Sequence, residues 1–88
     1  MTLTPRMLEA LRAVHAVPIE TFIWHRERRA GTEEGPPDGP LPQSLRALQR
    51  RGLVVAEHSG KSNRLGHYTA WRITDAGRAA LRETQERA

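Results

Sequence analysis

Along residues 5–16 the apolar side chains Met7, Leu8, Leu11 and Val14 fall on one stripe at helical spacing, with Glu9 and Arg12 opposite. This is the pattern of a helix that buries one face. Thr4 and Pro5 mark its start, a threonine N-cap followed by a proline at the first helical position, where a missing N–H costs nothing. Leu3 is placed to staple onto Leu8. After Pro18, the residues Ile19, Phe22 and Ile23 match a helical stripe again. Their spacing predicts a second helix that runs through Trp24 and the polar HRERRA segment to a left-handed stop at Gly31. Residues 32–40, TEEGPPDGP, hold three prolines, two glycines and three acids, which predicts a loop over about 31–40.

The next segment, LPQSLRALQRRG, predicts a third helix over 41–51 capped by Gly52. At 100° per residue, Leu41, Leu45 and Leu48 gather inward, while Gln43, Arg46, Ala47 and Arg50 point outward and Ser44, Gln49 and Arg51 flank them. Beyond Gly52 the period changes. LVVAEH and HYTAWRIT have strand propensity, and the polar SGKSNRLG between them predicts a hairpin over about 53–74. In its second strand Trp71 and Ile73 mark the face shared with His67 and Thr69 as the inner one, leaving Tyr68, Ala70, Arg72 and Thr74 outside. Thr74 caps a last helix, about 75–87, with Asp75 at its positive end. Its apolar stripe of Gly77, Ala80 and Leu81 is thin, and Gly77 permits close backbone packing. The expected architecture is α+β and mainly α, in one domain over 1–88, with no internal repeat.

Composition bounds what such a domain does. With 88 residues there is room for one modest core and no deep substrate cleft. No cysteine is present, so disulfides and thiolate metal sites are excluded, which suits a reducing cytosol. No segment has the length and apolarity of a membrane span and the first residues lack a signal-peptide core, so a cytoplasmic chain is expected. Thirteen of the fourteen basic residues are arginine, and alanine, glycine and proline are abundant, which reflects a GC-rich genome as much as selection. The position of charge is more informative. Residues 40–73 hold Arg46, Arg50, Arg51, Lys61, Arg64 and Arg72 against Glu57 alone, a net of +5, while the rest of the chain sums to −1. A cationic segment of this kind attracts polyanions.

Three helices, a hairpin with a basic tip and a last helix is the order of a winged helix-turn-helix domain. RALQRRGLVV followed by WRITDAGRAAL resembles the segment shared by MarR-like and PadR-like transcriptional regulators, where a recognition helix ends in a "GLV" turn and a wing leads through a W/Y-R-L/I-T strand into a helix. LTPRMLEALRAV is similar to their first helix. The resemblance covers residues 3–16 and 41–81. It implies a double-stranded DNA-binding regulator, bacterial or phage, that is nucleoid-associated, places helix 41–51 in the major groove and rests the 59–66 wing on the backbone or minor groove. If the chain binds as a two-fold homodimer, with the first or the last helix supplying the contact, half-sites are expected about one helical turn, roughly 10 bp, apart or a multiple of that. Two features depart from the family: a long acidic insertion before the recognition helix, and the lack of the long flanking helices through which MarR-like proteins dimerise and form an effector pocket.

Arginine is the usual bidentate reader of guanine, and glutamine can read adenine. Gln43, Arg46 and Arg50 are therefore the candidate base readers, with Ser44, Ala47 and Arg51 beside them. Lys61, Ser62, Asn63 and Arg64 at the wing tip suit phosphate or minor-groove contact. Arg72 can reach phosphate or pair with Glu57. His58 and His67 come close across the hairpin, but without thiolates or clustered carboxylates they are read as surface histidines, and no metal or other cofactor is expected. His15 and His25 have no metal spacing. Trp71, Phe22 and Ile23 are assigned to the core. No phosphate-binding glycine loop, nucleophile elbow or HExxH is present, so an enzyme is not expected. Two alternatives stay open: a winged-helix module that holds a protein partner through the 31–40 loop and Trp24, and a non-specific architectural DNA binder.

Overall fold

The computed structural model describes the backbone of residues 3–87 and the side chains of residues 3–84. Helix α1 (Pro5–Ala16) is followed by strand β1 (Ile19–Trp24), a 3₁₀ turn (Glu27–Arg29), the two-residue strand β2 (Glu33–Glu34), helix α2 (Pro42–Arg50), strands β3 (Val54–Asn63) and β4 (Gly66–Ile73), and helix α3 (Asp75–Arg87). The architecture is α+β, with three α-helices and a four-stranded antiparallel sheet in the order β2-β1-β4-β3.

The helix expected between Pro18 and Gly31 is instead β1 and the turn after it. Ile19, Phe22 and Ile23 match a helical stripe, but the β-branched and aromatic residues of IETFIW favour the pleated surface. The register with β4 (Ile19↔Trp71, Thr21↔Thr69, Ile23↔His67) puts Ile19, Thr21 and Ile23 on the face of Trp71, and Phe22 and Trp24 on the other. The decisive residue is Thr21, fully buried between the sheet and the helices. Phe22 and Ile23 are half-buried rather than core, Phe22 on the opposite face. Gly31 is left-handed (φ 86°) as expected, but it closes a turn in which its N–H bonds the Trp24 carbonyl at 2.8 Å. The 32–40 loop also contains a strand, since Phe22↔Glu34 and Ile23↔Glu33 pair β2 with β1. The hairpin is thus half of a larger sheet.

The other boundaries follow local chemistry. Met7 N–H bonds Thr4 Oγ1 at 3.2 Å at the start of α1, and Pro18, which disfavours helical geometry in the residue before it, follows its end. Thr74 Oγ1 accepts from Gly77 N–H at 3.0 Å at the start of α3. Helix α2 ends in a Schellman turn: Leu53 N–H bonds the Leu48 carbonyl at 3.1 Å and Gly52 N–H bonds that of Gln49 at 3.0 Å, with Gly52 at φ 74°. Gly77 permits a close approach, because a Cβ there would lie 2.2 Å from the Leu53 carbonyl oxygen.

The three helices cover one face of the sheet. Leu11, Leu45 and Leu48 are fully buried, Val54 and Trp71 nearly so, and Met7, Val14, Ile19, Leu53 and Leu81 complete the core. Leu41, expected inward, precedes the first turn of α2 and is exposed. On the helix-free face Val55 and Tyr68 are exposed, and Phe22 packs against Tyr68 and Trp24. The molecule is elongated, 46 × 21 × 21 Å. The β1–β4 pairing runs from Ile19↔Trp71, under the helices, to Trp24↔Gly66 at the hairpin turn. We refer to the turn as the far end.

Candidate nucleic-acid interface

Leu45 and Leu48 pin α2 to the core, and Ser44 is buried with them at 9% exposure. Gln43, Arg50 and Arg51 stand outside. Arg51 Nη1 donates to the Ala47 carbonyl at 3.2 Å, whereas Arg50 has no ion pair among the described residues. Ala47 is half-buried, packed against the core.

Arg46 does not join the outer strip. Its Nε and Nη2 both reach Glu33 Oε2 at 3.1 Å, its Nη1 donates to Gln49 Oε1 at 3.0 Å, and its guanidinium lies 4.8 Å from the Trp71 ring centroid. The Trp71 Nε1–H donates to Thr21 Oγ1 at 3.0 Å, and the Thr21 hydroxyl donates to Glu33 Oε1 at 2.6 Å. A continuous chain of hydrogen bonds thus links the core indole, the buried hydroxyl, β2 and α2, and it occupies the donors of Arg46 inside the molecule. Of the four residues placed on the outer side of α2 by spacing, two are fully outward. Helical spacing places Arg46 on the outer side of α2, and only the position of Glu33, which spacing does not reveal, turns its side chain toward β2.

At the hairpin tip Lys61, Ser62, Asn63 and Arg64 are all exposed. Lys61 Nζ pairs with Glu20 Oε1 at 3.3 Å, and Asn63 Oδ1 accepts from the N–H groups of Leu65 (2.8 Å) and Gly66 (3.2 Å), which shapes the turn. Arg64 has no ion pair among the described residues. Before the tip, β3 carries two residues more than β4 between His58↔Thr69 and Ser62↔His67, a bulge with Gly60 at φ 85°. Arg72 is paired with Glu57 at 3.5 Å.

Sequence reasoning placed the HRERR segment in a helix and gave it no part in the site. The structure brings it to the hairpin tip. The N–H groups of His25 and Arg26 donate to the Leu65 carbonyl at 2.8 and 3.3 Å, so Arg26 lies beside the residue that follows Arg64. Arg26 and Arg28 are exposed and unpaired among the described residues, while Arg29 pairs with Glu34 at 2.6 Å and lies 5.3 Å from the Trp24 ring centroid. Glu27 adopts φ 66°, the left-handed region that a non-glycine residue seldom occupies. The signal for this placement was the β-branched and aromatic content of IETFIW, which favours a strand and makes the following basic residues a strand-end loop.

Three imidazoles stack at the same end. His25 and His67 are 4.5 Å apart at their centroids and share a hydrogen bond between Nε2 and Nδ1, and His58 stacks on His67 at 5.1 Å. His58 and His67 meet across the hairpin as expected, and β1 adds His25. Partial burial, then the positive charge of His25 and His58, hold the His67 pKa below the ordinary histidine value, against a smaller opposing pull from Glu33. No group of three or more His, Cys, Asp or Glu side chains among the described residues is arranged to hold a metal ion. No helix among the described residues is long and apolar enough to cross a membrane. No family of known proteins matches this chain, and neither a curated protein nor a solved structure matches it significantly.

Proposed function

We propose that this chain binds double-stranded DNA as a winged-helix regulator, with the outward side of α2 in the major groove and the hairpin tip on the backbone or minor groove. One observation carries the reading. Helix α2 is fixed by two fully buried leucines, presents Gln43 and an unpaired Arg50 outward, and passes through a Schellman turn directly into a hairpin tipped by Lys61 and Arg64. Helix α1, helix α2, hairpin and α3 keep the order that the resemblance to MarR-like and PadR-like regulators implies, and only the second helix is replaced, by β1. Base reading falls to Gln43 and Arg50 with Arg51 beside them, and Arg46 braces α2 against β2.

Selection from a random duplex library tests this. Arg50→Ala should lose preference for the enriched duplex by about 1–3 kcal/mol, whereas Lys61→Ala should weaken binding to every sequence and flatten the salt dependence by about one unit of slope. Equal affinity of wild type and Arg50→Ala for the selected duplex would remove α2 from the interface. Salt-dependent binding with no enriched motif would make the protein an architectural binder. A second reading, a module that holds a protein partner, is favoured by the helix-free sheet face where Tyr68 is exposed beside Phe22 and Trp24. A stoichiometric protein partner together with flat mobility shifts on all duplexes would select it.

A further inference from the structure

We propose that the far end of the sheet is a second phosphate-contacting surface for a nucleic-acid duplex, built from Arg26, Arg28 and Arg64 around the stacked His25, His67 and His58, and that it engages phosphate with uptake of protons by the stack. The inference rests on the DNA-binding reading above and extends its hairpin-tip contact, which already holds Arg64, to Arg26, Arg28 and the histidine stack.

The first support is the juxtaposition of free cations. Arg26 and Arg28 come from the loop after β1 and Arg64 from the hairpin turn. The backbone bonds from His25 and Arg26 to Leu65 hold the two segments together. All three guanidiniums are exposed and without an ion pair among the described residues, whereas Arg29 and Lys61, and Arg46 and Arg72 toward the helix-covered end, each have a carboxylate partner. The unpaired cations are therefore concentrated at one place on the sheet. Their loop is also held in a conformation that costs free energy, with Glu27 at φ 66°. Left-handed geometry at a non-glycine residue recurs where a loop is shaped for binding.

The histidine stack supplies the second support. A bound polyanion lowers the cost of charging nearby imidazoles, so phosphate binding and proton binding reinforce each other. The carboxylates around the stack are largely committed elsewhere. On β2, Glu33 accepts from Thr21 and Arg46, and Glu34 pairs with Arg29. Glu20 on β1 pairs with Lys61, and Glu57 on β3 pairs with Arg72. The exposed Glu27, between Arg26 and Arg28, is the remaining acid of that loop. Added positive charge on the stack thus has few free internal counter-ions, and an external phosphate fills that role.

Fluorescence anisotropy with a short random-sequence duplex tests the proposal, over a range of salt and at about pH 8 and about pH 6, either side of the ordinary histidine value. The combined variant R26A/R28A, which leaves Arg64 of the hairpin tip in place, should bind at least about tenfold more weakly, and its salt slope should be flatter by about two, near 0.9 per lost phosphate contact. Wild type should bind more tightly at the lower pH, and H25Q/H67Q should lose most of that gain. Circular dichroism of both variants checks that the sheet is intact. Unchanged salt slope and unchanged pH response in folded variants would overturn this proposal while leaving the α2 reading in place, provided Arg50→Ala still loses site preference. A wild-type protein with no salt-dependent duplex affinity would overturn both.

Discussion

The two ends of the sheet are built on opposite principles. At the helix-covered end Leu11, Leu45, Leu48, Val54 and Trp71 are shut away from water, and of the polar groups that enter, the Thr21 hydroxyl and Trp71 Nε1 are linked to each other and to Glu33 by hydrogen bonds. At the far end the same two central strands carry stacked imidazoles and unpaired arginines, all exposed or half-exposed. Burial supplies the stability at one end, and the other is held by backbone pairing between β1, β4 and the hairpin turn. One sheet can therefore carry a cluster of like charges at its tip without endangering its core.

Substitutions at the two ends should behave accordingly. The largest loss is expected at the covered end, where Leu48→Ala removes a fully buried side chain from the centre of three packed elements. About 2–5 kcal/mol should disappear from the unfolding free energy in urea titrations, and a loss below about 1 kcal/mol would mean that the core is looser than described. Thr21→Val tests the polar chain between the layers. It leaves Trp71 Nε1 and one oxygen of Glu33 without partners, so about 1–3 kcal/mol should be lost although an apolar group of equal size fills the site. The smallest effect belongs to the far end. His67 takes up its proton less readily in the folded chain than in the unfolded one, so its contribution is complete above the ordinary value of 6.5 and declines as pH falls through the depressed folded value. The denaturation midpoint of wild type should thus fall modestly on acidification, and His67→Gln should flatten that trend. An increase in stability on acidification would contradict the stack.

Much of the covered end was legible in the sequence. The stripe of Met7, Leu11 and Val14, the caps Thr4 and Thr74, the left-handed Gly52 and the inward Trp71 each follow from strong local rules, and the structure bears them out. The error lay in IETFIW, where Ile19, Phe22 and Ile23 satisfy a helical period although in the strand Phe22 faces away from the other two. Preference for β-branched residues should have decided the matter, together with the question of where Thr21 would sit. That one misassignment hid the rest, because β1 positions β2, β2 carries Glu33 to Arg46, and the end of β1 brings His25 and Arg26 to the hairpin. Long-range pairing leaves no local trace, so the turning of Arg46 and the third imidazole were beyond reach of spacing arguments. The outward placement of Gln43, Arg50 and the tip residues was within it.

The bracing of α2 by Glu33 also bears on how this domain tolerates change. Because β2 pairs with β1 and sends one carboxylate to α2, the excursion from residue 25 to residue 41 is anchored at its midpoint to both layers. The Pro36–Gly39 turn beyond that anchor can grow or shrink while the orientation of α2 is retained. Lengthening the stretch between Trp24 and Glu33 would instead shift the carboxylate away from its arginine and release the helix to roll.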